Sequence, residues 1–108
     1  MDRLQELSLR IKEFNEARDW DKFHSPANLA KSISIEAGEL LECFQWNESD
    51  YNREEVIEEL ADVTNYCLQM AQALGVDIIS VVNAKMDISE RKYPVEKAKG
   101  VSTKYDKL

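Results

Sequence analysis

The sequence predicts an all-α protein, most simply a four-helix bundle with short antiparallel connections. Apolar residues recur every three or four positions, no stretch shows strand-like alternation, and only three glycines and two prolines interrupt 108 residues. That length fits one domain, which we place at residues 1–94, followed by a basic, polar C-terminal tail at 95–108. A chain this small often oligomerises, and more positions are apolar than one bundle seam uses. We therefore expect a homo-oligomer.

Two helices are predicted in the first half of the chain. The first covers about residues 2–18, where the apolar rhythm is helical and Asp2 suits the N-cap position. An ordered loop follows. Ser25-Pro26 then provides an N-cap and a first helical residue, because proline is tolerated where the N–H would be unpaired anyway. The second helix extends from there to about Phe44 or Trp46.

Two further helices are predicted after a polar turn at residues 47–52. The third covers about residues 53–74, and Gly75 follows its last periodic residue, where a left-handed conformation commonly ends a helix. Asp77 is the expected N-cap of the fourth helix, which ends before Tyr93-Pro94. We expect the tail beyond to be partly ordered at best, unless it docks on a partner subunit.

The net charge of −7 excludes several classes of partner. An acidic protein lacks the basic face that nucleic-acid polymers and anionic membranes require. No run of apolar residues is long enough to span a bilayer, and the N-terminus lacks the apolar core of a secretory signal. Cys43 and Cys67 form no CxxC pattern, so we interpret them as reduced thiols of a cytoplasmic protein.

The acidity is concentrated in one segment. Residues 36–62 hold ten acids and one base, a local charge of −9. The ordinary interpretation is a solvated helix face. However, Glu36 and Glu39 are three apart beside an apolar stripe, and Glu59 and Asp62 repeat that spacing on the next helix. Two such pairs facing each other would suit Mg²⁺ or Mn²⁺, singly or as a pair of ions.

The absence of a Glu-x-x-His motif argues against redox iron at these carboxylates. The single histidine, His24, lies in the predicted loop and does not follow either acidic pair. Aromatic faces and polar groups suitable for a nucleobase also occur along the chain. Trp20 and Trp46 could equally plug the ends of the bundle, since aromatic residues are most often core, and His24 could simply order its loop.

These motifs resemble the MazG-type, all-α nucleoside triphosphate pyrophosphohydrolases. The family pattern, ExxE followed by ExxD, reads here as Glu36-Ala37-Gly38-Glu39 and Glu59-Leu60-Ala61-Asp62, with 19 residues between. The resemblance covers about residues 4–105 and is strongest to the dCTP pyrophosphatase branch. The further matching segments are Arg18–His24, Pro26–Leu29, Phe44–Trp46, Lys85–Ile88, Arg91–Pro94 and Lys104-Tyr105.

The resemblance implies cleavage between the α- and β-phosphates, giving a nucleoside monophosphate and pyrophosphate and cleansing the deoxynucleotide pool. It implies that Glu36, Glu39, Glu59 and Asp62 hold the divalent ion and that Glu39 orients the attacking water. The implied substrate-binding residues are Trp20, His24, Asn28, Lys31, Trp46, Tyr66, Lys85, Asp87, Arg91, Lys92 and Tyr93. It also implies self-association to a dimer or tetramer.

Several alternatives remain open at this point. Ser89 stands where the dCTP branch has asparagine, and the 47–52 turn is shorter than in animal members, so the base is not fixed. A dUTP-type or broad-specificity pyrophosphatase is the alternative within the enzyme class. Outside that class, an acidic helical domain without catalysis could bind a basic partner. Lys31 could equally be an ordinary solvated lysine.

Overall fold

A computed structural model describes all 108 residues, and they form helices and connecting segments with no strand. The all-α prediction is therefore confirmed. No helix is by itself long and apolar enough to cross a membrane. The helices are α1 (Arg3–Ala17), α2 (Pro26–Glu42), α3 (Arg53–Leu74), α4 (Ile78–Lys92) and the single turn α5 (Val95–Ala98), with 3₁₀ turns at Asp21–Phe23 and Tyr105–Lys107.

The chain divides into two compact units, Met1–Gly75 and Val76–Leu108. The first unit contains α1, α2 and α3. Within it, α3 packs along α2 over most of its contacting surface and also contacts α1. The carboxyl of Glu36 in α2 lies near Asp62, whereas Cys43, just after the end of α2, lies near Glu55, which is earlier in α3. The order is reversed, so α2 and α3 are antiparallel, as predicted.

The predicted N-caps are confirmed because each side chain accepts a hydrogen bond from the first turn of its helix. Asp2 accepts from the backbone N–H of Gln5 at 2.8 Å, and the backbone N–H of Asp2 donates to Oε1 of Gln5, which completes a capping box. The Ser25 and Asp77 side chains cap α2 and α4 by accepting from the backbone N–H groups of Asn28 and Ser80. Gly75 ends α3 with a φ of 66°, the left-handed conformation expected there.

The predicted C-terminus of α2 was too late. The helix ends at Glu42, and not at Phe44 or Trp46. The backbone N–H groups of Cys43 and Phe44 donate to carbonyls three residues earlier, which tightens the last turn and stops the α-helical pattern. Trp46 therefore lies outside the helix, with 89% of its surface exposed.

The most buried apolar residues of the first unit are Leu29, Leu68 and Ala71, which follow the apolar periodicity of α2 and α3. Leu41 follows the apolar periodicity of α2 as well, but its side chain is 71% exposed. The preceding residue, Leu40, is half-buried instead. The two side chains cannot share one direction because adjacent helical residues point about 100° apart.

The second unit contains α4, α5 and the C-terminal 3₁₀ turn. The Tyr105 ring packs edge-on against Tyr93 at 6.2 Å, and the ammonium of Lys92 lies 4.4 Å from the same ring. Residues 95–108 therefore include two short helical segments, one of which is held against the end of α4. The domain boundary after residue 94 stays a prediction.

Candidate metal centre and nucleotide cavity

The four acidic side chains singled out in the sequence meet between α2 and α3. Single carboxylate oxygens of Glu36, Glu59 and Asp62 all lie within 4.8 Å of one another. Glu39 lies close enough to Glu36 and Glu59 to raise the pKa of both carboxyls. This arrangement follows from the sequence spacing, since residues three apart share a helix face and the two helices are antiparallel.

The cluster is electrostatically frustrated without a cation. The Oε2 atoms of Glu36 and Glu59 are buried and have no hydrogen-bond partner. Hydrogen bonding with Glu39, burial and repulsion by the neighbouring carboxylates raise the pKa of Glu36 from 4.5 to about 7. Burial, and then the charge of Glu39, also raise the pKa of Glu59. Four carboxylates held this close favour protonation or a positive ligand.

These residues fit a divalent ion with a preference for oxygen ligands. Two buried carboxylate oxygens lack partners, and a cation at that position would satisfy both. The donor set consists of carboxylates alone, which suits hard cations such as Mg²⁺ and Mn²⁺ better than the softer metals that favour histidine or cysteine. Asp62 is exposed, so the group also has an open side toward solvent.

A cavity of about 700 Å³ opens beside the acidic cluster. Glu36 and Asp62 line one part of its wall, so the acids and the cavity form one continuous site. Three of the predicted base-binding residues, Trp20, His24 and Tyr66, also line it. The cavity is large enough for a small organic ligand, and its wall combines apolar with a few polar side chains.

Trp20 is held at the cavity wall by local contacts. Its ring meets Phe14 of α1 edge-on at a centroid distance of 5.6 Å and an interplanar angle of 77°. The guanidinium of Arg18 stacks on the same Phe14 ring, 3.7 Å from its centroid. With 44% of its surface exposed, Trp20 does not plug the bundle, and it lines the cavity with part of its side chain accessible.

The sequence interpretation missed a row of polar side chains in the same cavity wall. Asn15 donates from Nδ2 to Oε1 of Gln69 at 3.0 Å, and Gln69 donates from Nε2 to Oδ1 of Asn65 at 2.9 Å. Asn15 and Gln69 are 5% and 7% exposed. Asn15 follows Leu7 and Ile11 at helical spacing, so a polar residue on an apolar face was the signal in the sequence.

A second cavity of about 380 Å³ shares Asn15, His24 and Gln69 with the first. Its wall is completed by other residues of α1 and α3, including Gln72, and by Asp21 and Leu29. Gln72 donates from Nε2 to the backbone oxygen and the hydroxyl of Ser8, at 2.7 and 2.8 Å. Two polar contacts thus join α1 to α3. The Asn15–Gln69 contact lines the larger cavity, whereas the Ser8–Gln72 contact does not.

Three predicted substrate-binding residues of the first unit do not line the larger cavity. Asn28 donates from Nδ2 to the carbonyl of Phe23 at 3.0 Å, which orders the loop before α2. Lys31 is exposed on α2. Trp46 is almost fully exposed in the turn after α2. The structure therefore gives Asn28 a local role and leaves the other two side chains in solvent.

The remaining predicted substrate-binding residues belong to the second unit. All five are exposed, either on α4 or just after its last residue. They are Lys85, Asp87, Arg91, Lys92 and Tyr93. Of these, Lys92 and Tyr93 already contact Tyr105. Their role toward a nucleotide stays a prediction.

Comparison with known proteins determines the family. A family model described as the MazG-like family matches residues 31–108, which include both acidic pairs. The chain belongs to the MazG-like family. Human dCTP pyrophosphatase 1 is 38% identical over 114 residues, covering 97% of this chain and 67% of the human protein. The bovine dCTP pyrophosphatase 1 is 36% identical over the same length, with 97% and 68% covered.

A solved structure shows the same fold. The crystal structure of a pyrophosphatase from Archaeoglobus fulgidus superposes with a TM-score of 0.82 at 42% identity, covering 87% of this chain and 94% of the archaeal chain. The predicted MazG-type resemblance is thus confirmed, and so is the predicted enzyme class, a nucleoside triphosphate pyrophosphohydrolase.

Proposed function

We propose that the protein hydrolyses a deoxynucleoside triphosphate, dCTP or a modified dCTP first among them, to the monophosphate and pyrophosphate in a Mg²⁺-dependent reaction. The observation that carries this proposal is the acidic cluster, whose orphaned Oε2 atoms on Glu36 and Glu59 lie beside a nucleotide-sized cavity. The names of the relatives, dCTP pyrophosphatases, support cytosine as the base. Such an activity would cleanse the deoxynucleotide pool.

The carboxylates have two tasks in this proposal. Glu36, Glu39, Glu59 and Asp62 would hold the divalent ion, which when bound neutralises triphosphate charge and stabilises the leaving pyrophosphate. Glu39 would orient the attacking water by accepting a hydrogen bond from it. The water oxygen bonds to the α-phosphorus while the bond to the oxygen bridging the α- and β-phosphates breaks. Glu39 is exposed, and its carboxyl lies beside the other acids.

The remaining predicted residues would bind the rest of the substrate. Trp20, His24 and Tyr66 line the cavity beside the acids and are suited to stack on and bond to the base. Lys85, Arg91 and Lys92 offer positive charge to phosphate oxygens. We retain Asn28, Lys31, Trp46, Asp87 and Tyr93 as proposed substrate contacts on the ground of the family resemblance alone.

The test is pyrophosphate release from a panel of dCTP, 5-methyl-dCTP, dUTP, dTTP, dATP and dGTP, each with Mg²⁺, Mn²⁺ or EDTA. We expect release from the cytosine nucleotides first, with EDTA abolishing it. Highest activity on dUTP would favour the dUTP-type alternative, and similar rates on all would favour broad specificity. No pyrophosphate from any triphosphate, with either metal, would contradict the proposal.

A variant pair ties the activity to the carboxylates. Glu39→Gln keeps the size and removes the charge, and we expect kcat to fall by about 100-fold or more. Glu42→Gln makes the same change three residues later on α2, where the exposed side chain lies outside the acidic group, and should retain activity. Equal loss in both variants, or none in Glu39→Gln, would contradict the role of Glu39. Circular dichroism checks that both remain folded.

A further inference from the structure

The amide row of Asn15, Gln69 and Asn65 is an unusual way to line a largely apolar cavity. Burying an amide is unfavourable unless its hydrogen bonds are replaced. Asn15 and Gln69 are each more than nine-tenths buried, yet the row contains only two hydrogen bonds. Three amides offer three carbonyl oxygens and three NH₂ groups, so several polar positions remain for another partner.

The unused positions lie at the two ends of the row. Asn15 donates into the row, which leaves its Oδ1 as an acceptor, and Asn65 accepts from the row, which leaves its Nδ2 as a donor. All three side chains line the 700 Å³ cavity. The row therefore presents one acceptor and one donor, on separate residues, to whatever occupies that space.

The row begins one helical turn from the acidic cluster and extends to about a nucleoside's length from it. Asp62, Asn65 and Gln69 are spaced three and four residues apart, so they share one face of α3. The helix rises about 10 Å between Asp62 and Gln69. A nucleotide with its phosphates at the carboxylates would thus place its base near the amides, with Trp20 and His24 in the same wall.

A purely structural role is the competing explanation, since Asn15 and Gln69 join α1 to α3. Gln72 shows what such a contact looks like in this protein. It bonds Ser8 of α1 through one nitrogen with two acceptors, and it does not line the larger cavity. The amide row differs because Asn65 adds a third amide on α3 itself, which extends the polar wall along the cavity without joining another helix.

We propose that Asn15, Gln69 and Asn65 recognise the edge of the base and set the base specificity of the enzyme. This proposal rests on the proposed function and deepens it. An acceptor at one end of the row and a donor at the other complement cytosine, whose exocyclic amino group donates and whose ring nitrogen and carbonyl accept. If all three amides turn over together, the row keeps its internal bonds and exchanges its ends, which complements uracil. The row therefore selects by the donor and acceptor pattern of the base edge, which is cytosine or adenine in the first arrangement and uracil, thymine or guanine in the second.

The test measures binding of the deoxynucleoside monophosphates dCMP, dUMP, dTMP, dAMP and dGMP to the full chain by calorimetry with Mg²⁺. Gln69→Met breaks the row at its centre and keeps the length of the side chain. We expect it to reduce by about tenfold the discrimination between the amino-bearing monophosphates dCMP and dAMP and the keto-bearing monophosphates dUMP, dTMP and dGMP. Affinity for inorganic pyrophosphate should stay unchanged, because the row does not contact the phosphate end.

Two further variants separate recognition from packing. Gln72→Met removes the other polar contact between α1 and α3, so it should lower the thermal midpoint and leave base discrimination intact. Asn65→Leu changes an exposed member of the row, so it should fold and still lose discrimination. If Gln69→Met and Asn65→Leu lower stability as Gln72→Met does and leave the base ratios unchanged, the row is a packing device and the proposal is wrong.

The outcome is distinguishable from failure of the proposed function. If the wild type releases no pyrophosphate yet discriminates among monophosphates, and the row variants lose that discrimination, the function fails and the recognition role stands. If the wild type binds pyrophosphate and monophosphates without discriminating among bases, the recognition role is overturned whatever the enzyme's activity.

Discussion

Carboxylate oxygens of Glu36 on α2 and Glu59 on α3 lie within 4.8 Å of each other, and each side chain keeps one buried Oε2 without a hydrogen-bond partner. Two like charges this close to each other would ordinarily destabilise a helix pair. Here the same pair joins the two helices that contact each other most extensively. A proton at low pH, or a cation at higher pH, removes the repulsion between the carboxylates. The stability of the fold therefore depends on pH and on metal.

The first prediction concerns the stability of the metal-free protein against pH. The pKa of Glu36 is raised from 4.5 to about 7 in the folded state, so the folded state retains this proton after the unfolded chain has lost it. The corresponding stability is present below pH 4.5 and is lost as the pH rises through 7. Thermal unfolding in EDTA should therefore show a falling midpoint from pH 5 to pH 8, and Mg²⁺ or Mn²⁺ should restore it at pH 8.

Two substitutions provide the controls for this profile. Glu36→Gln should flatten the pH dependence and weaken the response to metal. Glu54→Gln, in the first turn of α3 and outside the acidic group, should preserve both. A wild-type midpoint that neither falls with pH in EDTA nor responds to either metal would show that the cluster is an ordinary solvated surface.

The second prediction concerns the base-stacking surface. Trp20 lines the cavity and exposes part of its ring, and stacking of a base on an aromatic ring contributes about 1–3 kcal/mol. Trp20→Ala should therefore raise the KM for dCTP by about tenfold, with a smaller effect on kcat. Steady-state pyrophosphate release measures both constants, and an unchanged KM would exclude stacking on Trp20.

A fluorescence control isolates Trp20, because the chain has only one other tryptophan, Trp46. Trp46→Phe leaves Trp20 as the sole indole, and its emission should change when dCMP is added with Mg²⁺. The same addition to Trp20→Phe reports on Trp46 alone. A response confined to Trp20→Phe would mean that the base contacts Trp46 and not Trp20.

Local signals predicted the helices and the acidic cluster well. The caps at Asp2, Ser25 and Asp77 depend on hydrogen bonds within four residues, so their side chains alone specify them. The meeting of the two acidic pairs required only that consecutive helices be antiparallel. The end of α2 was missed because apolar periodicity continues to Phe44 while the backbone has already changed to three-residue hydrogen bonds.

Contacts between distant parts of the chain were not predictable in the same way. Asn15 and Gln69 are 54 residues apart, and their bond forms only once α1 has docked on α3 at one particular register. Each is a polar residue on an apolar helix face. This pattern predicts that the residue needs a hydrogen-bond partner but does not identify which residue that partner is. Trp46 shows the reverse case, since its aromatic character indicates a binding or core residue while the turn places it in solvent.

The third prediction compares two glycines for which an added Cβ would meet no atom within 4 Å. Gly75 has a φ of 66°, so Gly75→Ala forces an L-residue into the left-handed region and should cost about 1 kcal/mol of stability. Gly38 lies inside α2, where Gly38→Ala should stabilise the helix by up to ~1 kcal/mol. Urea unfolding measures both changes in stability. If both variants were stabilised, or both destabilised, the backbone explanation would be contradicted.

The last prediction concerns self-association. Large apolar side chains on or just after α2 remain exposed, at 61% for Ile35, 71% for Leu41 and 89% for Trp46. Surfaces of this kind commonly mark protein–protein contacts. We therefore expect light scattering at micromolar concentration to give a dimer or tetramer of the 12.5 kDa chain.

Matched charge insertions locate the contact surface on α2. Ile35→Glu and Leu41→Glu should shift the mass toward the monomer, because a buried, unpaired carboxylate strongly opposes association. Ser34→Glu introduces the same charge at an adjacent exposed position that is already polar, and it should leave the assembly intact. A monomeric wild type would contradict self-association itself. An oligomer that withstands both Ile35→Glu and Leu41→Glu would place the contact on another surface, since neither side chain could then be buried in it.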